Sequence, residues 1–243
     1  MTMAEKVVLV TGSTSGIGEA TALRFARDGA TVVFNSVRSV EAGERLAKVT
    51  PGSSYIQADI SCVDDCTRLI EQVIAQCGRL DVLVNNAGST KVIPHRDLDA
   101  ASLDVWREIF EVNVFGTWSL CVAAMDSLRA TRGSIVNVSS LAGIRPTGSS
   151  IPYAASKAAL NHMTALLAKV VGPEVRVNAV APGLVDTPWT KDWGVVRDFV
   201  VAVAPLKRSG TAEDVADVIA SLATTPYVTG QVVVVDGGLS LAT

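Results

Sequence analysis

The stretch K-V-V-L-V-T-G-S-T-S-G-I-G, Lys6 to Gly18, joins a short β-branched run to a glycine-rich turn and then to a helical pattern. From Ile17 onward, Ala20, Leu23, Phe25 and Ala26 fall at helical spacing, and Asp28-Gly29 ends the run. A strand, a tight turn and a helix in that order open a βαβ unit. The pattern then repeats along the chain. Strands are predicted over Ala30 to Asn35, Ser54 to Asp59, Leu80 to Asn86, Ser134 to Ser139, Val175 to Ala181 and Gln231 to Asp236. Helices are predicted from Val40 to Val49, about Asp64 to Gln76, about Leu103 to Arg129, about Pro152 to Val170, and Thr211 to Leu222. The stretch from Pro182-Gly183 to about Gly210 reads as irregular. Strands this apolar are buried on both faces, which requires a parallel sheet with helices on each side. The expected fold is α/β: one doubly wound Rossmann domain spanning 1–243, built on a seven-stranded parallel sheet.

Composition narrows the function. The 243 residues are 49% hydrophobic and 19% charged with net charge −3, at a pI of about 5.4 and a mean hydropathy of +0.36. No basic patch is expected, which argues against nucleic acid or an anionic membrane as partner. The high apolar fraction suggests surface covered between subunits. Cys62, Cys66, Cys77 and Cys121 form no C-x-x-C, and His95 and His162 are the two histidines, so no metal site is expected. M-T-M-A-E-K lacks the apolar run of a signal peptide, and V-V-V-V at Val232 to Val235 is far too short to span a bilayer. A cytoplasmic location is expected.

The glycines Gly12, Gly16 and Gly18 have the spacing G-x-x-x-G-x-G rather than G-x-G-x-x-G. Their physical jobs are similar. Gly12 permits a strained turn, Gly16 lets the backbone approach a ligand, and Gly18 lets the helix pack close to the strand. The helix start then offers N–H groups to a pyrophosphate, which makes Gly12, Ser13, Thr14, Ser15, Gly16, Ile17 and Gly18 candidate cofactor contacts. A plain glycine-rich turn is the alternative. An acidic residue at the end of the second strand, about 20 residues past the glycines, would bind the ribose hydroxyls of NAD. The sequence there is F-N-S-V-R, Phe34 to Arg38, with no carboxylate. Ser36 and Arg38 instead suit a 2′-phosphate. NADP is therefore favoured, with NAD possible; Arg38 as an ordinary solvated side chain stays open.

In Y-A-A-S-K, Tyr153 and Lys157 are one helical turn apart and share a face. An unperturbed phenol titrates near pH 10, and a neighbouring ammonium favours its phenolate. Such a pair suits proton transfer, although a surface tyrosine beside a snorkelling lysine has the same spacing.

Taken together and in order, T-G-S-T-S-G-I-G, N-N-A-G (Asn85 to Gly88), V-N-V-F-G around Asn113, S-S-L-A-G, Y-A-A-S-K, P-G-L-V-D-T (Pro182 to Thr187) and T-G-Q-V-V-V-V-D-G-G (Thr229 to Gly238) resemble the short-chain dehydrogenase/reductase family in its compact single-domain form. Within it the sequence is similar to the 3-oxoacyl-carrier-protein reductases. Ser140 stands thirteen residues before Tyr153, the family's spacing for its catalytic serine. The resemblance implies a catalytic tetrad of Asn113, Ser140, Tyr153 and Lys157, with Asn113 holding a water that resupplies the proton. It also implies that Asp59 and Ile60 meet the adenine, that Asn86, Ala87 and Gly88 line the nucleoside, and that Pro182, Gly183, Val185 and Thr187 lie at the nicotinamide. The expected reaction is hydride transfer between NADP(H) and a ketone or secondary alcohol. A dinucleotide-binding sensor or scaffold without turnover is the alternative.

Substrate choice is expected in 188–210 and in I-R-P-T-G-S-S-I-P before Tyr153. Trp189, Trp193 and Phe199 suit an apolar lid, with packing as the alternative for the two tryptophans. Ile144, Pro146, Thr147 and His95 are further pocket candidates. The helix carrying Tyr153 is apolar nearly all round, which predicts burial on more than one side, and with the family's habits a homotetramer acting on a small carbonyl or alcohol substrate.

Overall fold

The computed structural model describes residues 3–242. Alternate residues of the first strand, β1 (Val7–Val10), enter two different cores. Val7 and Leu9 pack on one face of the sheet, Val8 and Val10 on the other. A strand buried on both faces needs a helical layer on each side, and both are present. α1 (Gly16–Arg27), α2 (Val40–Val49) and α8 (Ala212–Thr224) cover one face, with Phe25, Val215 and Ile219 at its centre. α3 (Val63–Cys77), α5 (Thr117–Thr131) and α6 (Ile151–Val171) cover the other, with Leu69, Leu120 and Leu167.

The remaining strands of the sheet are β2 (Thr31–Ser36), β3 (Ser54–Gln57), β4 (Val82–Asn85), β5 (Ser134–Val138), β6 (Arg176–Pro182) and β9 (Val232–Val235). All seven are parallel, in the order β3-β2-β1-β4-β5-β6-β9. Chain order reverses between β1 and β4, which opens a crevice at their carboxyl ends, the place where such sheets bind ligands. The doubly wound seven-stranded expectation is met.

The structure corrects three expectations. The long helix is not continuous: α4 (Leu103–Phe110) passes through a π-helical segment, Glu111–Gly116, before α5. The stretch read as irregular holds a short parallel pair, β7 (Val185–Asp186) with β8 (Gly210–Thr211), and a helix, α7 (Gly194–Val203). Finally, β9 lies at the sheet edge and is only partly buried, although its V-V-V-V sequence reads as fully buried. Among the described residues no helix is long and apolar enough to cross a membrane.

Candidate active site

The cleft at the carboxyl ends of β1 and β4 has a volume of about 1560 Å³. Its floor is the glycine turn. Gly12 and Gly16 have φ of 61° and 57°, the left-handed region that glycine adopts without strain. A Cβ on Gly18 would lie 2.4 Å from both the Gly12 carbonyl oxygen and Asn86 Nδ2, so any side chain there would separate α1 from β1. Ser15, the N-cap of α1, caps with no side-chain bond, and the first N–H groups of the helix open on the cleft with Gly16, Ile17 and Gly18 on its wall. This cradle fits a dinucleotide pyrophosphate.

Asn86 locks the cradle in place. Its Nδ2 donates to the carbonyls of Thr11 (2.9 Å) and Gly12 (3.0 Å), while Thr11 Oγ1 accepts from the N–H groups of Asn86 and Ala87 at 3.1 Å each. Asn35 does the same from the other side. It is buried; its Oδ1 accepts from Gly12 N–H (3.4 Å) and its Nδ2 donates to the Ile56 and Ala58 carbonyls. The sequence identified Asn35 only as a missing carboxylate. Ser13 turns away from the cleft: its hydroxyl accepts from Asn35 N–H at 2.9 Å and its side chain is buried. It is part of the scaffold, not a lining residue.

Ser36, Arg38, Asp59, Ile60, Asn86, Ala87 and Gly88 line the cleft on the β2–β3–β4 side, and Pro182, Gly183, Val185 and Thr187 on the β6 side. Arg38 is exposed and makes no ion pair among the described residues. Asp59 Oδ1 accepts from both the N–H (2.9 Å) and hydroxyl (2.7 Å) of Ser61, which fixes the carboxylate at the strand end.

Ser140, Tyr153 and Lys157 stand on one wall. Ser140 begins a 3₁₀ turn, Leu141–Gly143, and its hydroxyl accepts from Ala142 N–H at 3.2 Å. Its neighbour Ser139 is buried and donates to the Lys157 carbonyl at 3.2 Å. Ser150 caps α6 and accepts from Tyr153 N–H, which fixes the phenol-bearing turn. Lys157 is buried, has no carboxylate partner among the described residues and donates to the Val138 carbonyl at 2.8 Å; its Nζ is 5.7 Å from the centre of the Tyr153 ring. Burial pushes the Tyr153 phenol above its ordinary value, and the Ser140 side chain partly offsets this. Burial also pushes the Lys157 ammonium down to about 8. At neutral pH the phenol therefore keeps its proton and stands ready as an acid.

Asn113 sits in the π segment, and both of its amide protons are engaged. Its Oδ1 accepts from Ser89 N–H (2.8 Å), and its Nδ2 donates to the Ser89 carbonyl and to Ser156 Oγ, each at 3.0 Å. A water at this residue can therefore only donate, to the main-chain carbonyl or to the second lone pair of Oδ1. Such bulges are common at functional sites. Gly116 belongs to the same device, since a Cβ there would lie 2.2 Å from the Ile60 carbonyl oxygen.

The outer rim is mostly apolar. Trp189, Trp193, Val195, Val196 and Phe199 line it together with Leu141, Leu184 and Leu239. Arg197 ties α7 down, with Nε on Asp186 at 2.7 Å and Nη2 on the Thr190 carbonyl at 3.2 Å. Pro146, Thr147 and His95 line the rim, with His95 bonded to the Gly148 carbonyl at 3.1 Å. Ile144 is exposed and lies outside the lining, contrary to the expectation from sequence. It follows the 3₁₀ turn, and its N–H bonds back to Leu141.

The profile of a family described as enoyl-(acyl carrier protein) reductase matches residues 12–240. A Streptomyces violaceoruber chain named as ketoacyl reductase 2 of the granaticin polyketide synthase is 54% identical over 239 residues, covering 97% of this chain and 96% of that one. The 3-oxoacyl-acyl-carrier-protein reductase of Thermotoga maritima is 38% identical, covering 98% and 99%. Among solved structures, a blue fluorescent protein from a metagenomic library in complex with NADPH is 34% identical with a TM-score of 0.92, covering 99% of this chain and 100% of that one.

Proposed function

Because the chain belongs to the short-chain dehydrogenase/reductase family of oxidoreductases, we propose that it transfers a hydride between NADP(H) and a ketone or secondary alcohol. The observation that carries this reading is the meeting of Ser140, Tyr153 and Lys157 on the wall of a cleft floored by a glycine cradle. When bound, the nicotinamide supplies the hydride for the carbonyl carbon. Ser140 donates a hydrogen bond to the carbonyl oxygen and stabilises the charge that develops there. Tyr153 gives that oxygen its proton in reduction and takes it back in oxidation. Lys157 holds the nicotinamide ribose and favours the phenolate once the proton has left. Asn113 holds the relay water through its main-chain carbonyl. The whole chain, 1–243, acts as one cofactor-binding and catalytic domain, in the cytoplasm. A silent sensor could use Lys157 to hold the ribose, but it would have no use for Ser140 and Tyr153 beside it on the same cleft.

NADP is supported by the absence of a carboxylate at the end of β2, by Ser36 and Arg38 on the cleft wall, and by the NADPH in a similar structure. Steady-state kinetics of Ser36→Asp combined with Arg38→Ala should show preference moving toward NADH by about tenfold to a hundredfold, the worth of one or two charge-assisted hydrogen bonds. An unchanged preference would remove the 2′-phosphate assignment. The apolar rim supports a ketone with an apolar flank, so a panel of acyl, steroid, sugar and cyclic ketones should rank the sugars last.

The homotetramer rests on unpartnered apolar faces. Phe115, Trp118 and Val122 form an exposed stripe, as do Leu166 and Val170 on α6, and Val234 is exposed on the edge strand. Light scattering after size exclusion at micromolar concentration is expected to give about four times the chain mass; a monomer alone would overturn this part of the reading.

A further inference from the structure

The 2′-phosphate end of the cleft has a second layer. Ser36 is only 7% exposed, yet it lines the cleft beside Arg38. Its hydroxyl lies 2.9 Å from the phenol oxygen of Tyr55, and the same phenol lies 3.3 Å from the Ser36 carbonyl. Tyr55 comes from the neighbouring strand β3, where it pairs with Phe34 of β2. Its ring is clamped from above by α2 at Gly43, where a Cβ would lie 2.2 Å from two ring carbons. Gly43 is a poor residue for a helix interior, and its place here is explained by the ring it admits. Nothing in the hydride chemistry uses Tyr55.

The two hydroxyls share two protons, which leaves two arrangements. In one, the Tyr55 phenol donates to Ser36 Oγ, and the Ser36 proton is free to point into the cleft. In the other, the phenol donates to the Ser36 carbonyl, Ser36 donates back to the phenol, and the cleft meets only serine lone pairs. A phosphate dianion accepts hydrogen bonds and cannot use the second arrangement. A ribose hydroxyl both donates and accepts, so it is served by either. Resting on the NADP reading above, we propose that Tyr55 is a positioning residue for cofactor choice: by donating to Ser36 it turns the serine hydroxyl into a donor aimed at the 2′-phosphate. The relay strengthens a charge-assisted bond through a chain of two. It acts on NADPH and leaves NADH unaffected.

The test is the ratio of NADH to NADPH dissociation constants, read by quenching of tryptophan fluorescence in the wild type, Tyr55→Phe, Ser36→Ala, the double variant and Arg38→Ala. Tyr55→Phe is expected to reduce the NADPH preference by about fivefold through NADPH alone, with NADH binding unchanged. The double variant should be no worse than Ser36→Ala, because the phenol acts only through the serine. An unchanged preference in Tyr55→Phe, or an equal weakening of both cofactors, overturns the relay. If Arg38→Ala lowers the preference while Tyr55→Phe does not, the relay fails and the phosphate site stands. A wild type with no preference for NADPH removes both.

Discussion

Replacing Tyr153 by phenylalanine is expected to lower kcat for ketone reduction by about 10²–10⁴-fold, the usual worth of a positioned general acid. NADPH affinity should hold within about threefold, because the change removes one oxygen and leaves the ring in place. The surroundings support that separation. The backbone of Tyr153 is capped by Ser150, and the cradle is held by Asn86 and Asn35, neither of which touches the phenol. Loss of turnover with retained binding therefore isolates the proton. The pH dependence follows from protonation state: reduction uses the phenol and falls as pH rises through its pKa, whereas oxidation uses the phenolate and rises. Turnover within a few-fold of wild type would reject Tyr153 as the acid.

The second large effect is expected from Lys157→Met, which should cost about 10²–10³-fold in kcat, on the scale of other preorganised charge contacts. Loss of the ammonium removes the charge that steadies the transient phenolate at neutral pH, where the lysine still carries its proton. Stability should change in the opposite sense. The buried ammonium titrates at about 8 in the fold but near 10.4 in the unfolded chain. Between those values the unfolded chain binds more protons, so stability from this group rises with pH across the window. Below it, the lysine is charged in both states and the fold carries the whole cost of burying it. Differential scanning at pH 7 should thus show Lys157→Met melting higher than the wild type, with the gap closing as pH approaches 10. A variant that melts lower at pH 7 would mean that the Val138 hydrogen bond outweighs the desolvation.

Much of this was legible in the sequence because parallel strands carry a local signature. The β-branched runs give seven strands, and the glycine turn marks where the first of them meets a helix. Tyr153 and Lys157 were legible for the same reason, since one helical turn fixes their common face. What escaped depends on contacts distant in sequence. The π segment exists where Asn113 reaches Ser89 and Ser156 and where Gly116 meets Ile60, and none of these lies within a helical turn of another except the two in the segment. α7 was hidden for another reason. G-V-V-R-D-F-V-V-A-V has no polar stripe to set against an apolar one, and it buries only Val200 completely while Val195 is 85% exposed. Its apolar surface belongs to the rim of the cleft rather than to the core. Ser13 shows the same limit from the other side: a hydroxyl at a ligand loop looks like a ligand contact until the fold shows it holding the loop together.

The most direct measurement is a crystal structure of the chain with NADPH bound. The nicotinamide ring should lie between Thr187 and the Tyr153 wall, with its ribose hydroxyls on Lys157. That leaves room for a carbonyl carbon about 3–3.5 Å from the hydride-bearing carbon while its oxygen reaches the phenol. A dinucleotide bound the other way round, or a nicotinamide seated well beyond reach of the phenol oxygen, would contradict the assignment of this cleft to hydride transfer.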